Sequence, residues 1–559
     1  VALTLAMAGG CASASRTERG GNAPAAPKRG GKSAFPPDAS VAAQAHYGAG
    51  VIHEMNGNWD AALEEYSKAA ALDPADEHLV LGVSQRFLQN KKPEKALELL
   101  QRAATHPDAS AELLAQLGML HSQLGQQEEA RRASQAAIRQ SPTTLSGYQV
   151  LFLVQLQTKQ LDAALQTLEE AARQKEVDAE FLVGLTELCF NFALQAPSRR
   201  TNVTGLAVSL LKRAEALPGL APALQLKMAD GYSFLGETER AAQLYLEVLQ
   251  RLPDVPLVRE HVHAKLAEIY LRGSDHERAL EQLEALVRED PTNAQAYFLL
   301  GTLAQEARQA KKAADYFRKT VLLRPDFEPA YYEWASAQLG ADQAAGALAT
   351  LAQARARFAP NFLLELLSGL ACAQQKAYGQ ALQHYAAAEV IANATDPRRL
   401  NHVFYLQVGA AHERKGDYQM AEKYFEKCLS LKPDYAEAQN YLGYMWAERG
   451  TNLVRARELL EQAVKTEPNN AAYLDSLAWV LFKLNEPAAA LDQILKAVEH
   501  LEQPDATVYD HLGDIQAALG RMDQAREAWR KALEVEPSEV IRKKLESHSP
   551  AQEGSETAP

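Results

Sequence analysis

The sequence predicts an all-α solenoid of stacked helix hairpins, and three observations carry the prediction. The first is a pattern repeated three times between Ala436 and Glu539: Asn440-Tyr441-Leu442-Gly443, Asp475-Ser476-Leu477-Ala478 and Asp510-His511-Leu512-Gly513 open successive units. A small residue follows (Ala456, Ala490 or Ala525), then a large apolar one (Leu460, Ile494 or Trp529), and Pro468, Pro504 or Pro537 closes the unit. The second is the period, about 34 residues, the length of a two-helix repeat. The third is composition: 47% of the chain is hydrophobic but only 7% aromatic, with few β-branched runs, which favours helices over strands.

The spacing has a physical reading. Gly443 and Ala525 stand where the two helices of a hairpin cross and only a small side chain allows close approach, while Leu460 and Trp529 fill the hollow beside the crossing. Pro468 and Pro537 cannot continue a helix and end the second one. One hairpin buries too little surface to fold alone, so the hairpins stack and share a core. Residue by residue, the order aromatic, Leu-Gly, Ala, aromatic, Pro resembles the tetratricopeptide repeat (TPR). The resemblance implies a right-handed superhelical solenoid with no domain split forced by the length of 559 residues.

In chain order, Val1 to Gly10 is apolar or small and runs into Gly9-Gly10-Cys11-Ala12-Ser13, which resembles the end of a bacterial lipoprotein signal. That resemblance implies residues 1–11 as a signal remnant, Cys11 as the lipidated residue and, from Ala12 after it, sorting to an outer membrane. Residues 12–42 read as a basic Gly/Pro/Ala-rich tether. Up to Ser40 it holds Arg16, Arg19, Lys28, Arg29 and Lys32 against Glu18 and Asp38, without apolar periodicity.

About fourteen hairpins follow, grouped as 43–255, 256–395 and 396–547. Clear units centre on Gly50/Ala62/Tyr66, Gly118/Ala130, Ala267/Ala279, Gly301/Ala313/Phe317 and Gly409/Ala421/Phe425. In one unit Thr186 and Ala207 stand further apart than usual, so Gln195 to Thr204 is expected as a loop inserted between two helices. Pro253-Asp254-Val255-Pro256 and Thr395-Asp396-Pro397-Arg398-Arg399 are expected joints. Ile541 and Leu545 are expected to cap the last hairpin with Lys543 and Lys544 outward, and residues 548–559 form a polar tail.

The net charge of −13 concentrates in the repeats and disfavours nucleic acid, whose binding draws on Lys and Arg neutralising phosphates. No His-Glu-x-x-His, Cys-x-x-Cys, Gly-x-Ser-x-Gly or dinucleotide fingerprint occurs, so no catalytic residue, metal ligand or cofactor is assigned. Cys189, Cys372 and Cys428 fall at apolar helix positions and read as buried thiols, a Cys372–Cys428 disulfide remaining open in an exported protein.

What remains is binding. In TPR folds the residues three before and one after the Leu-Gly glycine line the concave face, which implies Asn440 and Tyr444, Asp475 and Trp479, and Asp510 and Asp514. Each pair is four apart and shares one helical face. Packing of Tyr444 and Trp479 between helices is the alternative. The resemblance implies a non-enzymatic scaffold on the periplasmic side of an outer membrane. Its partner would be a protein or peptide, such as a periplasmic protease, a cell-wall enzyme or an envelope assembly component. A soluble cytoplasmic co-chaperone or regulator is the other reading.

Overall fold

The computed structural model describes residues 37–548; the expected signal remnant with Cys11, most of the tether and nearly all of the polar tail lie outside the described residues. Among the described residues there are 29 α-helices and two 3-10 turns, and no strand. The first twenty-eight helices pair into fourteen hairpins, and Glu539–Ser547 follows the last. No described helix is long and apolar enough to cross a membrane.

The hairpins turn by one recurring device. In every hairpin but the fifth, at least one residue between the two helices takes positive φ, from Gly57, Lys91, Gly125 and Lys159 through Lys376, Gly416 and Gly450 to Asn485 and Gly520. The following amide then closes on a carbonyl five residues back, as Lys92 does on Phe87, Ala377 on Cys372 and Asp417 on His412. Left-handed backbone after a helix ties up its orphan carbonyls and sends the chain back antiparallel.

The small residues sit at the crossings. A Cβ on Gly443 would lie 2.7 Å from Leu460 Cγ and 3.2 Å from the Ala456 carbonyl oxygen; on Gly50, Gly301 and Gly409 it would lie 2.6 Å from the rings of Tyr66, Phe317 and Phe425. The small residue of the first helix and the large residue of the second are therefore two halves of one packing unit.

Contacts gather into two compact units that divide between Val248 and Leu249, near the end of the helix Thr238–Arg251. In the first unit, Glu54 accepts from Tyr66 Oη and, at 3.1 Å, from Arg86 Nε, and the Arg86 guanidinium lies 4.8 Å over the Tyr66 ring. Burial and that carboxylate push the Tyr66 phenol up to about 12. This lock joins the first two hairpins. The fifth hairpin departs from expectation: Gln195 to Thr204 is not a loop. The helices Ala179–Gln195 and Arg200–Glu215 extend to 17 and 16 residues, and a single 3-10 turn, Pro197–Arg199, joins them. The extra length is helical because its apolar residues have somewhere to go: Phe192, Ala193 and Val203 are buried.

The second unit holds one long core from Phe362 to Ile515, in which Cys372, Cys428, Trp446, Leu460 and Trp479 pack together. Cys189, Cys372 and Cys428 are all free and buried. Burial pushes the thiols of Cys189 and Cys428 up to about 12 and about 11, which keeps them protonated and poor nucleophiles. The last helix, Glu539–Ser547, covers Trp529 with Ile541 and Leu545, as expected.

Candidate functional site

Three first helices carry the residues singled out in the sequence: Ala436–Arg449, Ala471–Lys483 and Ala506–Ala518. The starts of the second and third are set locally. The Asn470 side chain accepts from the amides of Ala472 and Tyr473, and Asp505 accepts from those of Thr507 and Val508, satisfying donors that a helix leaves open at its N-terminus. With the starts fixed, the pairs 440/444, 475/479 and 510/514 fall on one face of consecutive helices that touch one another.

The central pair is buried. Asp475 is 6% exposed and Trp479 is 7% exposed, both against His511, itself 4% exposed. Asp475 Oδ1 lies 2.8 Å from His511 Nδ1, and the indole of Trp479 stacks on the imidazole with centroids 3.9 Å apart. Phe482 stacks on Trp479 at 5.2 Å and Lys483 Nζ sits 4.4 Å over its ring. Trp479 is thus packed between helices, although its Nε1 is buried with no hydrogen-bond partner.

The outer pairs are half-buried. Tyr444 lies 6.3 Å from the His511 ring, and burial with the nearby carboxylates of Glu448, Asp475 and Glu413 pushes its phenol well up. Asn440 Oδ1 has no hydrogen-bond partner. At the other end, Lys544 Nζ donates to Asp510 Oδ1 at 2.8 Å and to Asp514 Oδ2 at 2.7 Å, and Asp514 Oδ1 accepts from Trp529 Nε1 at 3.1 Å. Burial pushes the Asp510 carboxyl up, against the pull of Lys544.

This corrects the expectation that Lys544 points outward. Two neighbouring carboxylates at the end of the stack demand a cation, and the last helix supplies it; Lys543 remains exposed. Within the strip, Asp475 is thus hydrogen-bonded to His511, and the Asp510–Asp514 pair is offset by one lysine. The pairing of His511 and Lys544 with these carboxylates was not anticipated from the sequence. The available signal was spacing, since each lies about one repeat beyond its carboxylate, the same relation that links Glu54 to Arg86 and Asp60 to Lys92.

Comparison with known proteins places these hairpins. Three family models, each described as tetratricopeptide repeat, match residues 264–326 and 452–507, residues 111–144, 403–435 and 506–539, and residues 43–76. A TPR repeat-containing protein of Pseudomonas aeruginosa, PA4667, is 31% identical over 224 residues, covering 39% of this chain and 36% of that protein. The protein CTR9 homolog of Arabidopsis thaliana is 21% identical over 282 residues, covering 50% of this chain and 25% of that protein. The chain therefore spans about a third and a quarter of the lengths of these two relatives. Among solved structures, the APC/C hetero-tetramer Cut9–Hcn1 matches with a TM-score of 0.38 and 16% identity, over 85% of this chain and 96% of that one. MamA of Desulfovibrio magneticus matches with a TM-score of 0.29 and 21% identity, over 32% of this chain and 97% of that one. Repeat spacing, paired helices with small residues at their crossings, and family matches spread from residue 43 to 539 agree that this chain is a tetratricopeptide repeat protein.

Proposed function

We propose that the protein is a non-enzymatic scaffold, held in a bacterial envelope by a lipid on Cys11, that binds a partner protein or peptide along the first-helix strip of its last three hairpins. The observation that carries the binding reading is the strip itself: polar residues recur at one position on three consecutive first helices, followed four residues on by an aromatic in two of them and by a second aspartate in the third. Tetratricopeptide hairpins specify a fold and leave the exposed faces to choose the partner. Asn440, Tyr444, Asp510 and Asp514 form the accessible part, and Asp475 and Trp479 with His511 hold it from beneath. Asp510 and Asp514 share one lysine, so a negative charge is left to favour a basic segment. Such complementarity acts mainly on the association rate.

The anchor reading rests on Gly9-Gly10-Cys11-Ala12-Ser13 after an apolar run. A periplasmic protease, a cell-wall enzyme or an envelope assembly component is the partner class that goes with this location. One experiment tests both parts: cells carrying a photocrosslinking residue at Tyr444, and the same at exposed Lys531 on a second helix, are fractionated with and without Cys11→Ser. The reading expects one discrete adduct from position 444, none from 531, and loss of the protein from the membrane fraction in the Ser variant. Equal crosslinking at both positions removes the strip, and membrane retention of the Ser variant at high salt removes the anchor.

A further inference from the structure

The tenth hairpin, built from Phe362–Gln374 and Tyr378–Thr395, breaks the packing rule of its neighbours. Four residues before the crossing glycine, the eighth and eleventh hairpins bury Tyr297 and Tyr405. The tenth has Glu365 there, 4% exposed, and a cavity of about 410 Å³ beside it. A buried carboxylate is unfavourable unless it is paired. Glu365 is paired twice: Oε1 accepts from Arg355 Nη1 at 2.6 Å and Oε2 lies 2.7 Å from His384 Nδ1. Burial pushes the Glu365 carboxyl up, but the two hydrogen bonds outweigh it and hold it below the ordinary Glu value.

The two basic residues, and not Glu365, line the cavity. Leu348, Leu351, Ala352 and Ala356 make its apolar side, while Arg355, His384 and Ser368 stand at its polar side, the Ser368 hydroxyl being turned back onto the Leu364 carbonyl. The carboxylate behind them spends one of the five guanidinium N–H groups and one of the two imidazole nitrogens, and fixes both side chains in place. What faces the cavity is a pre-positioned, permanently cationic guanidinium with donors to spare, beside an imidazole and over an aliphatic floor. Pockets of this size hold small ligands by an apolar lining with a few convergent polar groups. The geometry points to a binding site for an aliphatic carboxylate, its anionic end on the Arg355 guanidinium and its hydrocarbon on Leu348 and Leu351. This site lies away from the strip of the last three hairpins and does not rest on the function proposed for it.

A free aliphatic acid and the C-terminal residue of a peptide share this chemistry. Titration calorimetry on the full chain with hexanoate, N-acetyl-leucine and N-acetyl-leucinamide separates them. Saturable binding of at least one carboxylate is expected, with the amide weaker by about tenfold or more, since it cannot form the charge-assisted bonds. Hexanoate binding as tightly as N-acetyl-leucine marks a free acid as the ligand; a clear preference for N-acetyl-leucine marks a peptide terminus. Because Arg355 and His384 support Glu365, their removal risks unfolding, so the decisive variant is Ala352→Trp. It fills the cavity from an exposed helix position and leaves all three charged residues unsubstituted. Loss of binding with an unchanged melting curve is expected. Absence of saturable binding by either carboxylate, equal binding of the amide, or undiminished binding by folded Ala352→Trp overturns the site.

Discussion

Trp479 and His511 lie face to face, their rings 3.9 Å apart and 14° from parallel, and Asp475 holds the imidazole edge at 2.8 Å. The contact joins the first helices of the thirteenth and fourteenth hairpins, so the indole closes a seam between repeats. Trp479→Ala is expected to destabilise the second unit by about 3–5 kcal/mol, the usual cost of emptying a buried aromatic site. Urea unfolding measures this; a variant as stable as the parent would mean that the indole is dispensable to the seam.

Lys544 bridges Asp510 and Asp514, so its removal leaves two half-buried carboxylates facing each other. Lys544→Gln is expected to cost about 1–3 kcal/mol, the range for stripping a partner from buried polar groups. The loss should be local, with amides of residues 539–547 exchanging faster while the hairpins before residue 436 keep their protection.

The Arg355–Glu365–His384 trio predicts an acid-side dependence. The folded Glu365 carboxyl sits below its ordinary value, so its contribution is complete above the unfolded value of about 4.3 and fades as pH falls through the folded one. Glu365→Gln removes that contribution. The stability gap between parent and variant should be widest near neutrality and narrow on acidification below about pH 4. A gap that widens on acidification would contradict the pairing.

Lys376 turns the tenth hairpin at φ +61°, where an L side chain is strained, and Gly416 does the same in the eleventh at φ +85°. Lys376→Gly should therefore raise stability by up to about 1 kcal/mol, and Gly416→Ala should lower it by about 1–2 kcal/mol. Thermal melts of both variants test the turn; matching signs would show that backbone strain does not set it.

The fold was legible because the repeat writes each packing unit locally. Gly443 and Leu460 are close in sequence and meet in space, and the same small-large pairing recurs at Gly50 and Tyr66. The fifth hairpin was less legible. Extra residues read as a loop when counted, and only burial of Phe192 and Val203 shows that they lengthen two helices. In the candidate site, the shared face of each pair followed from helical spacing. Its occupancy did not, because His511 and Lys544 reach their carboxylates across a repeat boundary, where sequence pattern is weakest. The cavity beside Glu365 was hidden for a related reason: a lone Glu on a helix reads as solvated until its burial is known.

The central claim is that each unit is a stack of hairpins, each held by its neighbours within the unit. Gly443→Leu tests it most directly, because a side chain there must enter the space of Leu460 and the Ala456 carbonyl, at about 1–3 kcal/mol for overpacking. Hydrogen exchange followed along the whole chain should show faster exchange in the twelfth hairpin, Ala436 to Thr466, and in its immediate neighbours, with protection in the first unit unchanged. Uniform loosening from residue 43 to 539, or no loosening around residue 443, would contradict it.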